Sequence, residues 1–266
     1  MEQETLKLSP SSASDFKSCP QLFKFRSVDR LPEATSPAAA RGTLVHAVLE
    51  RLFTETADRR TPERSYELLE ELWPAFKEAE PETIELTEQE QQACLDDSRK
   101  LLANLFRLED PSLLRATRLE WRVEHDLADI SLRGVIDRLE VAPDGTWTLT
   151  DYKTGRVPGE ARELAAFFGL RFYALMCWRA FGVLPHEIRL VYLSDPAVLS
   201  LKPHERMLLA FERQVVALAQ AIRRALDTED WRARPSPFCM SCPHQAICPA
   251  WAETPAERPA DKHPPA

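Results

Sequence analysis

The sequence predicts an α/β domain, a central mixed β-sheet flanked by helices with an acidic helical lobe set into it. Three observations carry that prediction. Strand-like segments rich in β-branched and alternating residues lie at 118–127, 132–141, 146–153 and 187–193. Amphipathic helical segments surround them, one striped with Leu44, Val45, Val48, Leu49 and Leu52, another with Leu164, Phe167, Phe168, Phe172, Leu175 and Met176. The 266 residues, 44% hydrophobic and 29% charged, suffice for a sizeable core.

Taken in order, residues 1–7 read as frayed. Ser9-Pro10-Ser11-Ser12 opens a short helix, with Ser12 and Asp15 spaced as a capping box. Lys17, Lys24, Arg26 and Arg30 make the next stretch locally basic, and the Pro/Ala-rich residues 31–40 read as a linker or loop. A helix is expected over 42–57. Residues 62–107 are helical and acidic, with breaks near Pro74 and Pro81. Pro143-Asp144-Gly145 has the chemistry of a three-residue hairpin loop. A helix over 160–182 ends at Gly182, and another runs over 203–228. The expected organisation is a single domain over 1–251, with 58–112 as its helical lobe and a disordered Pro/Ala/charge-rich tail over 252–266.

Several classes are excluded. No run of about 18 apolar residues occurs, so no transmembrane helix is expected. The N-terminus lacks a basic-then-apolar leader, which points to a cytoplasmic protein. A net charge of −8 argues against non-specific coating of nucleic acid, yet it is compatible with a nuclease whose basic groove is local. No G-x-x-x-x-G-K-[ST] loop occurs, so the chain carries no helicase motor of that type.

The chemistry concentrates in the hairpin. If Ala142 pairs with Thr146, Asp137 falls opposite Asp151, and residues directly opposite share a face. Strand alternation puts Asp151 and Lys153 on one face, with Tyr152 pointing away. Two carboxylates at that spacing repel unless a cation sits between them, so a divalent-metal site is the economical reading. A neighbouring lysine could orient a water for attack on phosphorus. An exposed strand end with a simple charge pair is the plainer alternative. His46 shares an i, i+4 row with Gly42 and Glu50 beside the apolar stripe; it reads as a boundary residue or as a ligand. Gly42 permits close approach of another element.

Cys239-x2-Cys242-x5-Cys248 offers three soft ligands that need a fourth. His244 would complete a zinc site, whereas a distant cysteine such as Cys19 would complete an iron–sulfur site. Cys94 and Cys177 lie in helical patterns and read as small core residues.

These motifs together resemble the PD-(D/E)XK nuclease superfamily, in the branch containing the RecB and AddB nuclease domains, exonuclease V and the CRISPR adaptation nucleases. The resemblance runs from Leu8 to Pro249. It rests on Leu8-Ser9-x-Ser11 leading to Cys19-Pro20, Gly42-Thr43-x-x-His46-x-x-Leu49-Glu50, Gly134-x-x-Asp137-Arg138 and Asp151-Tyr152-Lys153-Thr154-Gly155. It implies a restriction-endonuclease-like fold in which His46, Asp137 and Asp151 hold Mg²⁺ or Mn²⁺. The Tyr152 carbonyl would be a further ligand and Lys153 would position water. It implies a [4Fe-4S] cluster on Cys19, Cys239, Cys242 and Cys248, stapling the first helix to the C-terminal region. Tyr173 matches the tyrosine of the family's Gln-x-x-x-Tyr motif, although Gly169 stands where the glutamine belongs.

The expected activity is that of a metal-dependent, exonuclease-like DNA nuclease in repair or recombination, acting on single strands or duplex ends. DNA is the expected partner, with a helicase or repair protein acting in trans and no membrane. Lys17, Lys24, Arg26, Arg30, Arg156, Arg162 and Arg171 are the candidate backbone contacts. Competing expectations are an inactive DNA-binding or scaffolding member of the same fold, a CRISPR adaptation nuclease, and a zinc-stabilised binding module.

Overall fold

The computed structural model describes residues 5–79, 87–159, 163 and 165–252. Six strands form one mixed sheet: β1 (Leu6–Leu8), β2 (Ala116–Leu127), β3 (Ile130–Val141), β4 (Trp147–Lys153), β5 (Glu187–Tyr192) and β6 (Ala197–Leu201). The long strand β3 borders three partners. β2 runs antiparallel along one edge, from Leu127 opposite Ile130 to Ala116 opposite Glu140. The other edge is divided, with β1 parallel to Ile130–Leu132 and β4 antiparallel to Arg138–Val141. Beyond β4 come β5, parallel to it, and then β6, antiparallel to β5. The divided edge matters most, because residues 133–137 of β3 have no strand partner there.

The hairpin closes in the expected register. Ala142 N–H donates to Thr146 O at 2.9 Å, and Gly145 supplies the positive φ of 84° that the loop requires. Two strands escaped the sequence reading. Residues 6–8 are paired rather than frayed, and Ala197–Leu201 is a short edge strand. Neither is long enough for its alternation to stand out, so only pairing with a neighbour defines it.

The helices are α1 (Pro10–Ser18), α2 (Pro20–Phe23), α3 (Pro37–Thr54), α4 (Pro62–Ala79), α5 (Glu88–Leu108), α6 (Phe168–Phe181), α7 (Glu205–Thr228) and α8 (Pro249–Ala252). Three expectations need correction. α1 begins at Pro10, so Ser12 lies inside the helix and does not cap it. α3 begins at Pro37, within the stretch expected to be loop: the Ser36 hydroxyl accepts from Ala39 N–H at 3.2 Å, and Pro37 occupies a first-turn position where its missing N–H costs nothing. α4 continues through Pro74, where burial of Trp73 and its stacking on Phe76 at 6.1 Å outweigh the lost hydrogen bond. Pro81 lies outside the described residues, as do 160–162, Leu164 and 253–266. α6 ends as expected, with Gly182 at φ 70°.

Contacts group the chain into two compact units, 1–11 with 34–219 and 12–33 with 220–266. The first contains the whole sheet. There α3, α4 and α5 bury Leu44, Val48, Leu52, Leu69 and Leu102 against Tyr152, Val191 and Leu193 of the sheet side. The second draws on both ends of the chain. Phe23 packs edge-on against Phe16 at 5.5 Å and stacks on Trp231 at 6.1 Å. Among the described residues, no helix is long and apolar enough to cross a membrane.

Candidate active site

The site forms where the ladder between β3 and β4 stops. The last pair is Arg138 with Thr150, so continuing the register sets Asp137 opposite Asp151. The N–H and C=O of Tyr152 on that edge have no strand to bond, and buried backbone groups need partners. Asp137 supplies one: its Oδ2 accepts from Tyr152 N–H at 2.7 Å. His46, from α3, supplies the other, with Nε2 3.1 Å from Tyr152 O. A carbonyl can only accept, so Nε2 carries the proton in the metal-free protein and the Nδ1 lone pair is exposed to the site. Nδ1 lies 3.5 Å from Asp137 Oδ2 and 4.0 Å from Glu120 Oε1.

Glu120 was not anticipated. Alternation along 118–127 groups it with Arg122 and Glu124, against Leu119, Trp121 and Val123, without saying what that face meets. The β2–β3 register, counted back from the Ala128-Asp129 turn, sets it opposite Asp137. That count was the signal in the sequence that could have found it. Its backbone has φ 40°, an unusual value for a side-chain-bearing residue inside a strand. Among the described residues, His46, Glu120 and Asp137 are the one group that brings three such ligand atoms within 4.8 Å of one another.

Asp151 and Lys153 complete the cluster from β4. Lys153 Nζ lies 2.6 Å from Asp151 Oδ2, yet that buried oxygen receives no aligned hydrogen bond. Electrostatics mark the whole cluster as short of positive charge. Burial and the Asp151 charge push the Asp137 carboxyl well above the usual carboxylate range, against the opposing pull of the Tyr152 N–H. Burial, Glu50 and Asp151 push Glu120 up as well. Burial lowers the His46 imidazole below its ordinary value, although Asp151 pulls the other way, so the ring is neutral at pH 7. Lys153 is also desolvated, but Asp151 and Asp137 prevail and hold its ammonium above the ordinary value.

The glycines of the motifs have defined neighbours. A Cβ on Gly42 would stand 3.1 Å from Thr154 Oγ1, which is how α3 approaches the end of β4. A Cβ on Gly134 would overlap the Tyr173 ring, so that ring covers β3 in its unpaired stretch. Burial, followed by Asp151 and Asp137, raises the Tyr173 phenol, which places its hydroxyl within their field.

A divalent ion fits this donor set. The set contains a buried carboxylate oxygen paired only with Lys153, two carboxyls forced toward neutrality and a neutral imidazole.

The second unit brings the four expected cysteines together. Cys19, Cys239, Cys242 and Cys248 line one cavity of about 250 Å³. Cys19 Sγ accepts from Arg234 N–H at 3.4 Å and Cys239 Sγ from Ser236 N–H at 3.3 Å. Burial raises the Cys248 thiol, and Cys19, Cys242 and Cys239 are near enough to add to the shift. His244 does not join them. It is buried, packs on Phe25 at 5.0 Å and bonds Glu33 Oε1 at 2.6 Å. Cys94 and Cys177 are buried, as expected.

The proposed substrate contacts fare less well. Lys24 pairs with Asp29 at 2.8 Å, and Arg26 is held by Glu33 at 2.6 Å and Asp15 at 2.9 Å, so their charge is answered within the protein. Arg171 lies over the Phe211 ring at 5.1 Å. Arg156 is exposed three residues beyond Lys153, and Arg162 lies outside the described residues.

No curated protein matches this sequence. Among solved structures, a provisionally assigned exonuclease from Eubacterium rectale matches with a TM-score of 0.60 at 15% identity, over 97% of this chain and 91% of that one. A second, SSO0001, matches at a TM-score of 0.44 and 15% identity, over 94% and 88% of the two chains, a likeness too weak to support an argument. The family model of the PD-(D/E)XK nuclease superfamily matches residues 7–249. With the mixed sheet and both halves of its D…D-x-K motif converging at the end of β4, the chain belongs to the PD-(D/E)XK nuclease superfamily.

Proposed function

We propose that this protein is a divalent-metal-dependent deoxyribonuclease that hydrolyses phosphodiesters as an exonuclease on single strands or duplex ends, in DNA repair or recombination in the cytoplasm. The observation that carries this reading is the convergence of His46, Glu120 and Asp137 beside Asp151 and Lys153. His46, Asp137, Asp151 and the Tyr152 carbonyl would hold Mg²⁺ or Mn²⁺, with Glu120 added to the set. The ion, when bound, supplies Lewis acidity toward phosphorus and an acidified water. Lys153, kept protonated by its two carboxylates, donates to the attacking water or a phosphate oxygen rather than removing a proton. The Tyr173 hydroxyl is a second donor to the phosphate. A helicase in trans would supply single strands.

The test is cleavage of single-stranded DNA with Mg²⁺ or Mn²⁺ by anaerobically purified protein. Asp151→Ala and Lys153→Ala should each lower kcat by at least about 10²-fold. A wild-type rate in either variant would assign the activity to another site or a contaminant.

We also propose that Cys19, Cys239, Cys242 and Cys248 hold a [4Fe-4S] cluster. The cavity that all four cysteines line and the backbone N–H groups donating to two of the sulfurs support a shared site, and the family resemblance favours a cluster there. Elemental analysis decides between them: iron with acid-labile sulfide is expected, and stoichiometric zinc without iron would exclude the cluster.

A further inference from the structure

The proposed ligands His46 and Asp137 meet at one residue whose side chain points the other way. Both polar groups of the Tyr152 backbone face them, at 3.1 Å and 2.7 Å. The Tyr152 ring is buried on the opposite face of β4, stacked on Phe53 at 6.4 Å. Its hydroxyl donates to Glu109 Oε1 at 2.9 Å and contacts Arg138 Nη1. Glu109 grips Arg138 in turn through two bonds, Nη1 to Oε1 at 2.7 Å and Nη2 to Oε2 at 3.0 Å. Arg138 is wholly buried, lies over Phe53 at 4.8 Å and also bonds Glu140 at 3.2 Å. Arg189 stands 3.9 Å from the second Glu109 oxygen. Two carboxylates thus meet two guanidiniums, and the charges balance under the sheet.

Glu109 caps the C-terminal end of α5 and closes the acidic helical lobe, the part of the chain with no motif residue. We propose that Glu109 is a positioning residue for the metal site: with Arg138 it clamps the Tyr152 side chain, and so fixes the peptide groups to which His46 and Asp137 are bonded. The proposal rests on the metal-site reading above. Partners one shell removed from a metal's ligands commonly set ligand orientation and are worth about 10–100-fold in affinity or activity. A buried ion pair with no link to the site would stabilise the fold and nothing more. Here the link is a single residue, read through its side chain on one face and its backbone on the other.

The experiment uses the full chain and two variants, Glu109→Gln and Tyr152→Phe, the second removing only a hydroxyl should the first fail to fold. Amide exchange at Tyr152 is measured in the metal-free protein, Mn²⁺ binding by electron paramagnetic resonance, and kcat and KM on an oligonucleotide at saturating Mn²⁺. Faster exchange at Tyr152 is expected, with Mn²⁺ affinity weakened about tenfold, kcat reduced and KM for DNA unchanged. Wild-type exchange and wild-type Mn²⁺ affinity in Tyr152→Phe would overturn the proposal, even if the melting temperature fell. Asp137→Ala separates this from failure of the underlying reading. If that variant binds Mn²⁺ as the wild type does, the metal site is misassigned, while Tyr152 exchange still decides the clamp.

Discussion

At Asp137, burial and the neighbouring Asp151 act in the same direction, so the folded, metal-free protein binds a proton more tightly there than the unfolded chain does. The sign follows directly. The stability this proton confers is complete below the unfolded carboxylate pKa and is lost as pH rises through the raised folded value. Asp137→Asn keeps an acceptor for Tyr152 N–H and removes the charge. It should therefore raise the melting temperature of the metal-free protein at pH 8, by roughly 2–4 °C if about 1 kcal/mol is recovered, while abolishing Mn²⁺ binding. Scanning calorimetry with and without Mn²⁺ checks both, and an unchanged or lower melting temperature would contradict the charge argument. Metal affinity should rise with pH over the same window, because the ion displaces that proton. Glu109 behaves in the opposite sense. Burial opposes its ionisation, but Arg138 outweighs it and holds the carboxyl below its ordinary value. Its contribution is present above the unfolded pKa and is lost as pH falls through the folded one, so the clamp on Tyr152 should release in acid.

At the scale of elements, the divided edge of β3 explains why several motif residues have the identities they have. β1 and β4 leave residues 133–137 open, and the Tyr173 ring of α6 lies over Gly134 in that stretch. Gly134→Ala should force the ring away, with a destabilisation of about 1–3 kcal/mol from overpacking. A loss of kcat larger than stability accounts for would show that Tyr173 must sit there. Urea denaturation together with single-turnover cleavage measures the two effects, and Tyr173→Phe separates the hydroxyl from the ring. If Gly134→Ala is as stable and active as wild type, the packing at this edge is not what selects glycine.

At the scale of the whole molecule, the second unit is built from segments more than 180 residues apart in sequence, 12–33 and 220–266. A cross-link joining such segments restricts the unfolded chain strongly. Replacing Cys19 with serine should remove the proposed cluster and cost about 2–5 kcal/mol, the range for losing a covalent staple in a small domain. Iron content and the melting temperature of the anaerobic protein report this together. Loss of iron with no change in melting temperature would mean that the cluster has another role. Alkylation of the metal-free native protein should spare Cys177, whose thiol is buried and pushed up to about 12, and modify the four cavity cysteines first.

The sequence by itself determined what is local. The pairing of Ala142 with Thr146, the facing of Asp137 and Asp151 and the common face of Asp151 and Lys153 all follow from a tight turn and a period of two, and the cysteine spacing is read directly from the chain. The same short-range logic misjudged residues 6–8 and 37–40, whose state is decided by a partner strand and by packing. Only the tertiary structure decided the rest. His46 meets Tyr152 across 106 residues of chain and Glu109 meets it across 43, separations that no local pattern encodes. Glu120 reached the site through strand pairing and an unusual backbone turn, and His244 left the cysteine set because Glu33 offered it a charged partner. Periodicity tells which residues share a face. Which of those faces meet is set by burial of the core, and that is a property of the whole chain.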